Sequence, residues 1–348
     1  MSSPIDDPLG GWDFELPDAL IAKTPPRERD GGRLLVVGDA LQDRQVRDLP
    51  AVFRAGDLLV LNDVRVRKAR LRATRHSGGA VEVLVLRAGE ADSDGELGEA
   101  LVRPARKLHV GDTLRCGSGS IVVLALSGEG RAQLRFVPSL ATLEADAGEM
   151  PLPPYLDRPA DADDEHRYQT VYAVAGRLQA AAAPTAGLHL SERLLAELSA
   201  MGVQRAQVTL EVGLGTFRPL TAAMLASGKL HPERYVVPEA TWRAIDNARR
   251  EGRRVVAVGT TVVRTLESAS GPGPGETDIL LVPGWRPQRV DALLTNFHLP
   301  RSSLLMLVGA FAGQERVLAA YRHAVDARYR FFSYGDACFF PAPSGMTG

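Results

Sequence analysis

The hydrophobic pattern of this chain changes period twice, and that constrains its fold more than any other feature. From Asp57 to Asn62 it reads DLLVLN, a continuous apolar run of the kind found in strands buried on both faces. From residue 80 to about 136 the pattern becomes short alternating stretches, VEVLVL, SIVVLAL and RAQLRF. The turn-like segments GEADSDGELGE, CGSGS and SGEG separate them, which predicts a small antiparallel barrel or sandwich. After about Pro151 helical patterns alternate with short apolar strands, as in an α/β layer structure. The run at 57–62 is written in this second style. The expected architecture is therefore a discontinuous α/β main domain, residues 1–65 and 151–348, interrupted by a small antiparallel β-barrel domain at 66–150. A length of 348 residues accommodates two domains at roughly 150 residues each.

The α/β part resolves into units. Ser191 is placed to cap ERLLAELSAM, whose Leu194, Leu195, Leu198 and Met201 form one face, and Gly202 stops it. QVTLEVG follows as a strand, Glu239–Glu251 as a helix ended by Gly252, and RVVAVGT as a buried strand running into the helix TVVRTLESA. TDILLVP and DALLTNF read as strands, SSLLMLVGAFAG and QERVLAAYRHAV as helices, and GPGPGE at 271–276 as a loop.

The charge balance, 41 basic against 42 acidic residues, excludes a chain that grips nucleic acid through bulk positive charge, so any polyanion must be met locally. VRVRKARLRATR offers one such place. Its alternation changes phase once near Lys68, as a bulge would make it do, and then Arg65, Arg67, Arg70 and Arg72 share one face. That face is either a solvated exterior or a phosphate-contacting stripe. Cys116 and Cys338 lie far apart with no CxxC, and HExxH is absent, so neither a disulfide scaffold nor a metal site is expected. The N-terminus lacks the basic start and apolar run of a secretory signal, and the longest apolar stretch, 304–312, is about half of the roughly 20 residues of a spanning helix. The expected setting is the cytoplasm, without a membrane.

Several junctions carry chemistry. VTLEVGLGTF, with Gly213 and Gly215, begins like the nucleotide loop of a class I methyltransferase, but Phe217 stands in place of a third glycine and Arg218-Pro219 interrupts the following helix. In VAVGTTVVRTLESA the amides of Thr260 and Thr261 open a helix beyond a strand, with Arg264 one turn in; this is an anion site or a plain threonine cap, and Arg264 has Glu267 as an alternative partner. APTAGLHL and TNFHLPRSS each place a histidine, His189 and His298, before a serine-capped helix. Glu233 in HPERY and Asp336 in YGDA add acids in expected loops.

These segments, taken in order with FELPDALIAKTPPRERDGGRLLVV, DLLVLNDVRVRKARL, LPPYL, RYQTVYA, HPERYVVP and YRFFSYGDACFF, resemble the S-adenosylmethionine:tRNA ribosyltransferase-isomerase family nearly end to end. The resemblance implies an α/β domain with an inserted barrel. It also implies transfer and isomerisation of the ribosyl group of S-adenosylmethionine onto 7-aminomethyl-7-deazaguanine at the wobble position of a tRNA with a GUN anticodon, with loss of adenine and methionine. S-adenosylmethionine is then a consumed substrate and no cofactor is implied; a monomer is expected. The chemistry asks for a base, an acid for departing adenine, and a carboxylate clamp. His298 or His189 is the candidate base, and Asp336 or Glu233 the acid. Arg264 with Thr260 and Thr261 is the clamp. Gly213, Gly215, Thr216, Thr185, Gly187 and Asn296 are further candidates to meet S-adenosylmethionine. Tyr168 and Tyr172 are candidates to stack on a tRNA base, beside the Arg65, Arg67, Arg70 and Arg72 stripe. Glu211 stands where the family usually has histidine. The alternatives from the residues alone are a class I methyltransferase and a non-catalytic RNA-binding protein that uses the barrel.

Overall fold

The apolar run at 57–62 becomes the centre of a nine-stranded mixed sheet in which Leu58–Asn62 is buried at every residue. The structure, a computed structural model, describes residues 9–174, 179–213 and 220–341. Four strands run parallel in the order Gln204–Leu210, Leu58–Asn62, Val255–Val258, Ala292–Asn296. Beyond Ala292–Asn296 the strand Ala337–Phe340 runs antiparallel to it and parallel to Arg33–Val37, with Leu41–Gln45 at the edge. At the other edge Lys229–Val237 and Gly273–Ile279 add antiparallel strands. One face buries Leu59, Leu61, Val256, Val258 and Leu294 against Leu194, Leu195 and Leu198 of the helix Glu192–Ala200. Ser191 caps that helix by accepting from the Leu194 amide at 3.1 Å, and Gly202 leaves it at φ +88°. Met201, expected on the apolar face, is instead the exposed C-terminal cap residue.

The second unit closes on itself. Arg70–Arg75, Ala80–Asp92, Gly95–Arg103, Arg131–Val137, Gly119–Leu126 and Thr113–Cys116 pair in that order, and Thr113–Cys116 pairs back onto Arg70–Arg75, giving a six-stranded antiparallel barrel. Its inward residues, among them Leu71, Val83, Val102, Leu114, Ile121, Leu134 and Phe136, are fully buried. Closure leaves no open edge in the ring. GEADSDGELGE, expected as a turn, is mostly strand: Ala80–Asp92 and Gly95–Arg103 run through it and leave only Ser93 and Asp94 between them. Gly98 allows this, because a Cβ there would lie 2.7 Å from the Arg87 carbonyl oxygen and 2.8 Å from the Phe136 ring.

The chain leaves the first unit after Val64, returns to it from Thr170, and resumes it at Pro184; the second unit holds Arg65–Gln169 and Gln179–Ala183. The stretch 151–169, whose pattern suggested the main domain, thus clusters with the barrel. The links are local to that unit: Arg70 donates to the Leu152 carbonyl, and Gln169 bonds both the amide and the carbonyl of Val66. Two segments expected as loops are strands. HPERY lies within Lys229–Val237, and GPGPGE enters Gly273–Ile279, with Gly275 opposite Tyr235.

Candidate active site

All four parallel strands end on the same side of the sheet, where ligands of α/β proteins bind. Their last residues and the turns after them bring together Asn62, Glu211 to Gly213, Gly259 to Thr261 and Asn296 to His298. Asn62 organises this end. It is fully buried; its Oδ1 accepts from the amides of Leu210 (3.0 Å) and Val64 (3.2 Å), and its Nδ2 donates to the Leu210 carbonyl (3.2 Å) and to Thr261 Oγ1 (3.5 Å). In the sequence its mark is a polar residue closing the apolar run at 57–62, a signal distinct from the titratable residues considered above.

The strand Val255–Val258 turns into the helix Thr260–Ser268 through Gly259, whose φ of +92° only glycine adopts readily. Gly259 is therefore the cap position, and neither Thr260 nor Thr261 serves as one. Arg264 does not pair with Glu267, which accepts the amides of Gln288, Arg289 and Val290. Its Nη1 instead meets Glu233 Oε2 from the strand Lys229–Val237, and Glu233 Oε1 accepts from the Gly213 amide at 2.9 Å. Both side chains are about 95% buried, at 5% and 6% exposure. The Nε and Nη2 atoms of Arg264 are buried without a hydrogen-bond partner. Gly215 and Thr216 lie outside the described residues.

Glu211, at the position usually held by histidine in the resembling family, pairs with Arg234 at 2.7 Å across neighbouring strands. It thereby ties the end of Gln204–Leu210 to Lys229–Val237 within the sheet.

The turn Thr185–His189 also lies against this end: a Cβ on Gly259 would sit 3.5 Å from that of Ala186. Thr185 is half-buried and Gly187 buried. A Cβ on Gly187 would overlap the Tyr172 hydroxyl, so glycine is what admits the tyrosine. Tyr172 in turn lines a groove of about 680 Å³ with Leu61, Asp63, Arg205, Gln207 and Thr241. His189 is buried, and burial, helped by nearby Arg330, lowers its imidazole to about 4. Neither its Nε2 nor Oδ1 of the neighbouring Asn296 makes a hydrogen bond of normal geometry, though the Asn296 side chain lies close enough to oppose part of that lowering. The Asn296 amide is oriented by donating Nδ2 to the carbonyls of Phe332 (3.0 Å) and Ser333 (3.4 Å). Asn296 therefore presents an acceptor toward His189.

Two candidates are removed from the chemistry. His298 is a core histidine: its Nε2 bonds Thr295 Oγ1 at 3.0 Å, its amide donates to the Tyr321 hydroxyl at 3.1 Å, and burial lowers it to about 3. Its ring is thus committed to Thr295 within the core. Asp336 spends both oxygens on backbone amides, those of Arg33 (2.9 Å) and Arg330 (2.8 Å), and ties the strand Arg33–Val37 to the turn before Ala337. Burial raises its carboxyl while those amides oppose the rise, so its role is structural.

The second unit corrects the stripe. Arg67 is held by Glu144 at 2.6 Å with 8% of its side chain exposed, Arg70 approaches Glu82 at 3.7 Å, and Arg72 lies between Glu82 and Glu149. Of the four, Arg65 and Arg72 are exposed, and three of the four charges are balanced by acids within the barrel unit. The phase change near Lys68 is present as a break between Arg65–Val66 and Arg70–Arg75. Tyr168 is fully buried and its hydroxyl is driven up by desolvation; it is core and cannot stack on a base.

Comparison with known proteins identifies the family. The family described as queuosine biosynthesis protein matches residues 9–340. The S-adenosylmethionine:tRNA ribosyltransferase-isomerase of Aromatoleum aromaticum is 49% identical, over 97% of this chain and 98% of its own. That of Parvibaculum lavamentivorans is 48% identical, over 95% and 98%. The crystal structure of S-adenosylmethionine tRNA ribosyltransferase from Thermotoga maritima covers 95% of this chain and 100% of its own, with 35% identity and a TM-score of 0.55. The chain, with its strand-end site and its closed barrel, belongs to the queuosine biosynthesis protein family.

Proposed function

We propose that this protein is a transferase of queuosine biosynthesis, an S-adenosylmethionine:tRNA ribosyltransferase-isomerase acting in the cytosol, as a monomer, on tRNA with a GUN anticodon. Full-length identity near 49% to enzymes of that name supports the activity. The observation in the site that carries it is Arg264, a buried guanidinium with two unused donors beside a helix N-terminus at the strand ends. A methionine carboxylate is the planar anion that such a fork accepts, and the helix end at Thr260 and Thr261 favours it further.

In the reaction the sulfonium acidifies the adjacent ribose carbon. A base takes that proton, adenine leaves, the amine of the tRNA base attacks, and an epoxide forms as methionine departs. His189 is the remaining histidine candidate for the base, neutral at pH 7 and with an unpartnered nitrogen. Gly213, beside Glu233, leaves bare backbone near the nucleoside, and the turn that holds Thr185 and Gly187 packs on Gly259 through Ala186. S-adenosylmethionine is consumed, so no cofactor is called for. Cys116 and Cys338 are both buried free thiols, which suits a reducing compartment. No single helix among the described residues is long and apolar enough to cross a membrane.

The methyltransferase alternative has no structural support: the strand Gln204–Leu210 is followed by the antiparallel Lys229–Val237, whereas a nucleotide-binding unit needs a parallel return. Incubation with S-adenosylmethionine and tRNA carrying the deazaguanine precursor should release free adenine and methionine. Formation of S-adenosylhomocysteine instead would overturn the proposal, and binding without turnover would favour an RNA-binding role.

A further inference from the structure

Glu233 is a titratable group at the strand ends, and its surroundings give it a task other than proton transfer. One carboxylate oxygen holds the Gly213 amide at 2.9 Å; the other holds Arg264 Nη1. An arginine presents two hydrogen-bonding edges, and the one formed by Nε and Nη2 is a pair of parallel donors matched to a carboxylate. With Nη1 occupied, that edge is what Arg264 retains, and both of its atoms are buried and unpartnered. A buried charged donor without a partner is costly, so the edge is a built site for an oxyanion. Resting on the function proposed above, we propose that Glu233 is a positioning residue: it fixes the rotation of the Arg264 guanidinium so that the Nε/Nη2 edge receives the carboxylate of the methionine moiety, and through the Gly213 amide it sets the backbone beside that carboxylate. Glu233 then determines selectivity for a carboxylate-bearing sulfonium, and it donates no proton to adenine.

The test compares S-adenosylmethionine with its decarboxylated analogue by adenine release from the full-length enzyme and precursor tRNA, in wild type, Glu233→Gln, Arg264→Gln and the double variant. Wild type prefers S-adenosylmethionine. Glu233→Gln, which keeps an oxygen for the Gly213 amide, should lower that preference on the order of 10- to 100-fold, the worth of hydrogen bonds to a charged group. The loss should lie in KM for S-adenosylmethionine and exceed any loss on the decarboxylated analogue, with the pH profile of turnover unchanged. The double variant replaces the ion pair by two neutral amides, which avoids leaving a lone buried charge, and its preference between the two substrates should match that of Arg264→Gln alone because Glu233 selects through Arg264. Equal losses on both substrates, additive losses in the double variant, or loss of a limb of the pH profile would each overturn the assignment. Absence of any adenine release by wild type would instead overturn the activity itself.

Discussion

Acid should unfold this protein through two histidines. His189 and His298 are both about 95% buried, and their imidazoles are lowered to about 4 and about 3 from an ordinary 6.5. Burial is the main cause for each, because the interior solvates the imidazolium poorly. In the unfolded chain both bind a proton as pH falls through 6.5; in the folded chain neither does until much lower pH. Between 6.5 and about 4 the unfolded state therefore holds more protons, and folding stability, complete above 6.5, is lost as the solution becomes more acidic. At pH 5 each imidazole lies 1.5 pH units below its unfolded value, which is about 2 kcal/mol per histidine. That figure does not depend on how far below 5 the folded values lie. Together the two remove about 4 kcal/mol, a large part of the roughly 5–15 kcal/mol of a typical domain.

Urea unfolding at pH 8 and pH 5, for wild type, His298→Asn and His189→Asn, isolates the effect. Each substitution destabilises at both pH values, but the difference between the two should shrink by about 2 kcal/mol per histidine replaced. Carboxylates that titrate in the same range contribute equally to all three proteins and cancel. An unchanged pH dependence in both variants would refute the reasoning, since it would mean that the imidazoles are protonated in place.

Three further outcomes follow from packing and charge. Gly187→Ala should destabilise by about 1–3 kcal/mol, the usual range for overpacking, because its Cβ overlaps the Tyr172 hydroxyl and lies 2.9 Å from Thr170 Cγ2; Tyr172→Phe in the same chain should recover part of that in thermal denaturation. Arg67→Ala should cost about 3–5 kcal/mol by stranding Glu144, whereas Arg65→Ala at an exposed position should leave stability within about 0.5 kcal/mol while lowering tRNA affinity and its salt slope by about one phosphate contact. The thiols of Cys116 and Cys338, buried and raised by desolvation, should resist alkylation in the native protein and react at once in denaturant.

The sequence carried the fold wherever burial leaves a periodic trace. DLLVLN is the central strand because it is buried on both faces, and Ser191 and Ser302 cap their helices because a short hydroxyl side chain reaches the free amides three residues on. Where strands stand exposed the trace vanishes. GEADSDGELGE reads as a turn because its residues project into solvent, yet its backbone pairs through the register Ala88 with Gly98 and Asp92 with Gly95. HPERY, beside a sheet edge, hides a strand for the same reason: half its side chains are polar and only alternate positions, Glu233 and Tyr235, face inward.

The site was less legible because titratability and availability are different properties. Glu233, Asp336, His298 and Glu211 all looked chemical in the sequence, and each is engaged by a partner that no local spacing reveals: Arg264 at 31 residues' separation, Arg33 at 303, Tyr321 at 23, Arg234 at 23. What distinguishes Arg264, His189 and Asn296 is the reverse condition, buried polar atoms left without a hydrogen bond. Folding tolerates few such atoms, since each costs of order 1–3 kcal/mol. Four of them, on Asn296 at a strand end, on Arg264 in the helix after Val255–Val258 and on His189 in the turn Thr185–His189, make a stronger pointer to substrate than any of the acids, because a substrate that supplies the missing partners regains on binding what the fold gave up.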